Sequence, residues 1–419
     1  MKIKMSYDDP KISEAIISND VILKEYEPKQ ASPMTEKELK NKLKNKLEKP
    51  IFANSLKSEL ENKKEILLLS DDNTRTTNVK IIIDTLIELF PEKNFSIIVC
   101  LGTHRKMKDE EIEKKFGKKI IDRCKIFQHD WIKATYHDFG TTNSGIPVLI
   151  NDIIDNYDYI IGTGQVVPHR CTGFSGGTKI MQPGISAGKT TEATHWLSAK
   201  YKVNDIMGIR DNPIRKELDE IGIKAGLKFI INVVQDNHHQ IVDFFCGDSV
   251  EAHRAAAEKT KEIFGFKVEP AEIVISESHP ADIELWQASK GIYSAVAAVK
   301  PGGTLILVTP CPEGISKTFG KELLKYGYKN TYEEIKKLFE SGKISNGILA
   351  AHIVHAGEIL FKARKVLVVS PGLTEIECKK MGLEKAESLQ EAVDKSLKEY
   401  SNPRVSVMKF AADLLPILD

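Results

Sequence analysis

Cysteine is scarce in this chain. Six occur in 419 residues, at Cys100, Cys124, Cys171, Cys246, Cys311 and Cys378, and no two form a CxxC pair. That usage argues against a zinc knuckle or a disulfide framework and fits a reducing compartment, so a cytoplasmic protein is expected. Long hydrophobic runs are also missing: no stretch approaches the ~20 apolar residues that cross a bilayer. Residues 1–29 carry charges throughout, without the apolar centre of a signal peptide. Charge of one sign is missing too. Lys+Arg number 60 against Asp+Glu 59, so no global field draws nucleic acid or a membrane surface, and a small-molecule partner is expected. No HExxH occurs among the eleven histidines, which excludes zincin chemistry.

What is present is the composition of a folded protein, 41% hydrophobic and 28% charged. The length exceeds one ordinary core, so two domains are expected. Short runs rich in Ile, Val and Leu read as buried parallel strands: Ile66–Leu69, Phe95–Cys100, Tyr157–Gly162, Phe229–Val234, Glu272–Ser276, Thr304–Val308 and Val366–Val369. Stretches of helical period alternate with them, among them Val79–Phe90, Val250–Phe264 and Tyr332–Glu340. Lys106–Lys119 reads as a solvated helix face. The pattern predicts an α/β fold of two domains with mainly parallel, Rossmann-like sheets. The seam is placed near Pro270. That gives an N-terminal domain over 1–270 and a C-terminal α/β domain over 271–404. A helix over about 405–419 is expected to pack back on the first domain.

Polar loops follow the first three strands. Ser70-Asp71-Asp72-Asn73-Thr74-Arg75 comes after the first, Gly102-Thr103-His104-Arg105 after the second, and Gly164 to Arg170, with Pro168-His169-Arg170, after the third. Ligands of open parallel sheets sit at the carboxyl ends of the strands, so one edge is expected to gather an Asp/Arg pair and two histidines. Histidine titrates near neutrality and serves as general acid and base; inversion at carbon needs one such group on each face.

Gly173-Phe174-Ser175-Gly176-Gly177-Thr178-Lys179 is a glycine-rich turn ending in lysine, able to bring backbone N–H groups close to an anion or to be an ordinary tight turn. It lacks the spacing of a Walker A loop. So does Gly184-Ile185-Ser186-Ala187-Gly188-Lys189-Thr190, whose glycines stand one residue too close, and an ATPase is rejected. His238-His239 reads as a surface turn. His129, His137, His253 and His279 read as surface or core residues, and His352/His355 as a structural pair that could share a helix face. Gln287 and Lys290 open a helix and point the same way, as a hydrogen-bond donor and a point charge or as routine surface residues.

Taken in order, Asp-Asp-x-Thr-Arg, Gly-Thr-His-Arg, Pro-His, Phe-Ser-Gly-Gly-x-Lys-x-x-x-Pro-Gly and His195, sixteen residues beyond Lys179, resemble the lactate racemase family of nickel-pincer-nucleotide enzymes. The resemblance runs from Asp71 to Lys290. It implies that the two sheets flank a cofactor cleft, with 1–270 as the cofactor and catalytic domain and 271–404 closing the substrate cleft. It implies an isomerase that racemises or epimerises a 2-hydroxy acid by proton-coupled hydride transfer to and from the cofactor, a nickel-bearing pyridinium-3,5-bisthiocarboxylic acid mononucleotide. It implies Lys179 as the covalent anchor, His195 as the metal ligand, and Asp72, Ser175, Gly176 and Gly177 in the nucleotide pocket. His104 and His169 become the paired acid and base; Arg75, Gln287, Lys290 and Trp286 become the substrate contacts. Loading implies cofactor-biosynthesis enzymes as partners. A sulfur and imidazole donor set suits square-planar Ni(II).

The chain departs from the lactate-specific pattern at Trp286, where such members have tyrosine, and no later tryptophan follows in the second domain. The segment 346–360 supplies Ile, His and Glu instead, which suits a larger or more polar substrate than lactate. A C2 epimerase of a sugar acid with the same cofactor is the first alternative. A zinc metallohydrolase using His104, His169 and His195, and a non-enzymatic nucleotide-binding protein, are the others.

Overall fold

The computed structural model describes residues 1–19 and 21–418. Two compact units emerge. One, central in sequence, holds residues 29–194 and 208–263; the other, the terminal unit, holds 1–28, 195–207 and 264–419.

The central unit is built on a six-stranded sheet in the order Ile241–Asp248, Phe229–Gln235, Tyr159–Gln165, Glu65–Asp71, Asn94–Cys100, Lys125–Gln128. All neighbours are parallel except the first pair, which is antiparallel. The inner strands are buried along nearly their whole length, as strands covered on both faces must be. Helix Val79–Leu89 shows why: Val79, Ile82, Ile83 and Leu86 repeat at helical spacing and bury against Ile66, Leu68 and Ile97 of the sheet.

The terminal unit has its own six-stranded sheet, wholly parallel, in the order Glu384–Ala386, Lys365–Val369, Val299–Val308, Ala271–Glu277, Arg404–Met408, Ile22–Tyr26. Ile273, Ile275, Ile306, Val308, Leu367 and Val407 form its core with Ile3, Met5, Ile12 and Ala15 of the N-terminal segment.

The strands and helices predicted from period all form. The domain boundaries do not fall as expected. Residues 1–28 belong with the C-terminal half, because Ile22–Tyr26 pairs in register with Arg404–Met408. Residues 195–207 belong there as well. The expected terminal helix is instead strand Arg404–Met408, a turn, and strand Leu415–Ile417, which pairs with Gly265–Lys267 in the same unit. A strand slot between Ala271–Glu277 and Ile22–Tyr26 gives the backbone of this run ladder partners on both sides.

Candidate active site

In the central sheet the chain moves from Glu65–Asp71 outward to Asn94–Cys100 and Lys125–Gln128, then returns to place Tyr159–Gln165 on the other side. The order therefore reverses between the ends at Asp71 and Gln165, the position where open α/β sheets leave a ligand crevice. The loops carrying Asp72, Arg75 and His169 flank this point, and the His104 loop lies one strand away.

The first loop is held rigidly. Asp71 accepts hydrogen bonds from Thr77 Oγ1 and, at 2.9 Å, from Lys115 Nζ, which also donates to Asp72 O at 2.8 Å. The Lys115 side chain is 7% exposed, so this part of the expected solvated helix face is an internal anchor. Asp72, expected in the nucleotide pocket, faces His104: its Oδ2 lies 2.7 Å from His104 Nδ1, and its Oδ1 accepts from Thr74 N at 3.0 Å. Burial works to raise the Asp72 carboxyl. The His104 hydrogen bond and charge, with the Thr74 donors, outweigh it and hold the group well below the usual carboxylate range. An ionised Asp72 only accepts, so His104 Nδ1 carries a proton toward it, and Nε2 is the nitrogen left to exchange a proton with a ligand. His104 is about half exposed, and Nε2 makes no hydrogen bond among the described residues.

His169 has the opposite arrangement. It lies on the short strand Pro168–His169, paired with Gly173–Phe174. Its Nδ1 receives the backbone N–H of Cys171 at 3.2 Å and stands 3.2 Å from Thr172 Oγ1. A backbone N–H can only donate, so Nδ1 is the acceptor and the ring proton sits on Nε2. The two histidines thus use Nδ1 in opposite ways, His104 facing a carboxylate and His169 accepting a backbone N–H. Arg75 is half-buried, and its guanidinium has no partner among the described residues.

The glycine-rich turn is clamped from beneath. Arg215, fully buried, donates to Phe174 O and, at 3.2 Å, to Gly176 O. His253 Nε2 donates to Ser175 O at 2.9 Å, and Asn232 Oδ1 accepts from Gly177 N at 2.8 Å. Burial, then the Arg215 charge, push the His253 imidazole well below its ordinary value, so it is neutral. Gly176 and Gly177 have φ of 75° and 60°. A Cβ at Gly177 would stand 2.7 Å from the His253 ring, so no side chain fits there. Ser175 acts as a clasp, its Oγ donating to Gln165 O at 2.7 Å and accepting from Val167 N at 2.9 Å. Lys179, half-buried, follows on the single turn Gly177–Ile180. The second glycine pattern is structural: Thr190 Oγ1 spends its proton on Pro147 O at 2.8 Å, and Lys189 is exposed.

Helix Gly188–Ser198 crosses out of the central unit after Thr194, so His195 is counted with the terminal unit. Its ring is half-buried, and its carbonyl accepts from Ser198 Oγ at 2.6 Å. Helix Leu285–Ala298 of the terminal unit carries Trp286, Gln287 and Lys290, all half-buried, beside the fully buried Leu285, Ala288 and Ser289. His352 and His355 both lie buried on helix Gly347–Gly357. His352 stacks on Trp286 with centroids 3.7 Å apart, and His355 Nε2 lies 3.3 Å from Ser198 Oγ.

Sequence reasoning missed Asp71, Lys115, Asn232, Arg215, Asp219 and His253, which hold the loops from behind. His238 and His239 are exposed at a turn, as expected. His129 is a core residue bonded to Ser186 O at 3.1 Å. Among the described residues no three His, Cys, Asp or Glu side chains converge to hold a metal ion by themselves. A metal at His195 therefore needs donors from elsewhere, as a sulfur-bearing cofactor provides. Val166, Asn232 and His253 pack against Gly176 and Gly177 where a Cβ would stand, so the turn's backbone is a fixed platform beside Lys179 for such a group.

Two family descriptions match the chain: the lactate racemase N-terminal domain over residues 7–206 and the lactate racemase C-terminal domain over residues 266–410. Lactate racemase of Thermoanaerobacterium thermosaccharolyticum is 32% identical over 65% of this chain and 66% of its own length. That of Lactiplantibacillus plantarum is 32% identical over 64% of this chain and 65% of its own. The aligned stretch thus spans just under two thirds of these relatives. The structure of the lactate racemase apoprotein from T. thermosaccharolyticum superposes with a TM-score of 0.86 at 26% identity, covering 100% of both chains. A crystal structure of a protein from Thermotoga maritima shares the fold, with a TM-score of 0.75 at 22% identity over 93% of this chain and 100% of that one.

Proposed function

Because this chain belongs to the lactate racemase family, we propose that it is a racemase or epimerase of a 2-hydroxy acid. The observation that carries this is the opposite bonding of two loop histidines: His104 Nδ1 against the Asp72 carboxylate and His169 Nδ1 accepting the Cys171 N–H, which leaves Nε2 of each for proton exchange. A reaction that takes the hydroxyl proton on one face and returns it on the other needs such a pair.

His104 Nε2 accepts the hydroxyl proton while ionised Asp72 stabilises the imidazolium that forms. As the imidazolium, which gives up the Cys171 N–H bond at Nδ1, His169 supplies the proton when the hydroxyl is remade on the opposite face and is left neutral; for the other enantiomer the two histidines exchange roles. Arg75 holds the carboxylate; Gln287 and Lys290 orient the C2 oxygen and carboxylate. Lys179 is the anchor for the nickel-pincer nucleotide, His195 its metal ligand, and the Gly173–Gly177 turn its seat. When bound, that group supplies the electrophile that accepts the Cα hydride, chemistry no protein side chain offers. Expulsion of water around the two imidazoles keeps their protons with the substrate. Small-molecule hydroxy acid, loading enzymes and a cytoplasmic setting complete the reading. Among the described residues no helix is long and apolar enough to cross a membrane.

The test is the chain produced together with the cofactor-biosynthesis enzymes. About one nickel per chain, added mass on Lys179 and interconversion of 2-hydroxy acid enantiomers are expected. Zinc with an unmodified Lys179, and hydrolysis without racemisation, would sink the proposal.

A further inference from the structure

Trp286 is sandwiched. His352 stacks on it at 3.7 Å and 15° between planes, and Phe319 at 4.9 Å and 27°. Two rings so close to one centroid and so nearly parallel to it cannot share a face without overlapping each other, so each covers its own face. The indole is nevertheless half-buried rather than buried. What it shows is therefore its edge. That edge carries the Nε1–H donor, which makes no hydrogen bond among the described residues and is not among the buried unpartnered atoms. A ring edge is the electropositive part of an aromatic system and attracts oxygen.

His352 is fixed in turn. Its Nδ1 lies 3.2 Å from Tyr293 Oη and its Nε2 3.0 Å from Tyr328 Oη, and Tyr328 Oη is 3.3 Å from Ser289 Oγ. Both ring nitrogens are occupied, so the imidazole cannot turn without losing a buried bond. Burial pulls its titration down to about 3, and it is neutral at any working pH. The rings around Trp286 are thus uncharged, and Lys290, one helical turn along the same face, is already assigned to the acid head group.

We infer that the Trp286 Nε1–H is a donor to the substrate beyond C2, that His352 is the positioning residue which holds the indole edge-on, and that the substrate class is 2-hydroxy acids with a hydroxyl on C3. A bare methyl leaves the donor unmet. A second carboxylate brings a charge that these neutral rings do not answer. This rests on the proposed racemase reading and narrows it.

Glycerate and lactate differ by that one oxygen. With loaded holoenzyme, kcat/KM for racemisation is measured by chiral chromatography on lactate, glycerate and malate. Glycerate is expected to exceed lactate by about tenfold or more, the worth of one well-placed hydrogen bond. Trp286→Phe keeps a stackable ring without the donor, and the ratio should collapse toward one. His352→Ala should raise KM for glycerate more than it lowers kcat, and His352→Phe should restore it. A second reading uses unloaded protein whose only tryptophan is Trp286, made by Trp131→Phe and Trp196→Phe: its emission should shift on adding glycerate and far less on adding lactate. Equal or better turnover of lactate or malate overturns the inference while leaving the racemase intact. Absence of turnover on every 2-hydroxy acid, with nickel and cofactor mass in place, removes the racemase reading and this one with it.

Discussion

In an Asp72→Asn variant the His104 ring loses the carboxylate that stands 2.7 Å from its Nδ1. The side chain of Asp72 is 5% exposed, so water cannot replace it. An amide there can donate to Nδ1, which moves the ring proton to Nε2 and takes away the lone pair that would accept the hydroxyl proton. The imidazolium formed during reaction also loses its counter-charge. A charge-assisted hydrogen bond of this kind is worth roughly 1.5–3 kcal/mol. At ~1.36 kcal/mol per decade that is about 10- to 150-fold in kcat/KM, with the tautomer change adding to it. Racemisation should be followed from each enantiomer on loaded protein. In parallel, histidine-selective 15N NMR of the unloaded protein reads which nitrogen of His104 is protonated, with His104→Gln giving the assignment. The expected result is a shift of the proton to Nε2 together with the rate loss. A variant within about threefold of the parent and with an unchanged His104 tautomer would refute the dyad.

Stability measured against pH carries the same interaction. Asp72 has a folded pKa below its unfolded value of ~3.9. Its contribution is therefore fully present above that value and is lost as pH falls through the folded one, so denaturation of wild type and Asp72→Asn should converge only below about pH 4; a constant gap down to pH 2 would contradict this. Lys115→Met strands the Asp71 carboxylate, which it meets at 2.9 Å, and should cost about 3–5 kcal/mol in urea unfolding; a loss under 1 kcal/mol would show the anchor to be idle. Gly177→Ala places a Cβ at 2.7 Å from the His253 ring at a φ of 60°. It should destabilise by roughly 2–3 kcal/mol, and His253→Ala in the same chain should recover part of that through relief of the clash, a coupling absent if the two were independent. His104→Ala and His169→Ala should each lower turnover of loaded protein by about 10²- to 10⁴-fold; retained activity in either removes the histidine pair.

Much of this molecule is local in origin. The runs Ile66–Leu69, Phe95–Cys100 and Phe229–Val234 declare buried parallel strands because both faces are apolar, and each strand leads into a polar loop that must lie at a sheet edge. The positions of Asp72, Arg75, His104, His169 and the glycine-rich turn followed from that alone. The family was legible in the spacing of those loops. What remained hidden depends on residues far apart in sequence. Nothing near Arg215 or His253 marks them as the floor beneath the glycine-rich turn, and nothing in Lys115 distinguishes it from the exposed lysines beside it. The partner of Asp72 appears only when strand Asn94–Cys100 is laid beside Glu65–Asp71 in register, with Asp71 opposite Cys100.

Sequence period fixes which segments are strand or helix, since that is decided by which side of each residue must avoid water. Tertiary structure decided the rest: that residues 1–28 complete the terminal sheet, that the expected C-terminal helix is a strand, what faces Nδ1 of His104 and of His169, and that both faces of Trp286 are covered. Those outcomes are set by hydrogen bonds and ring contacts between residues tens to hundreds of positions apart, a range that no window along the chain can sample.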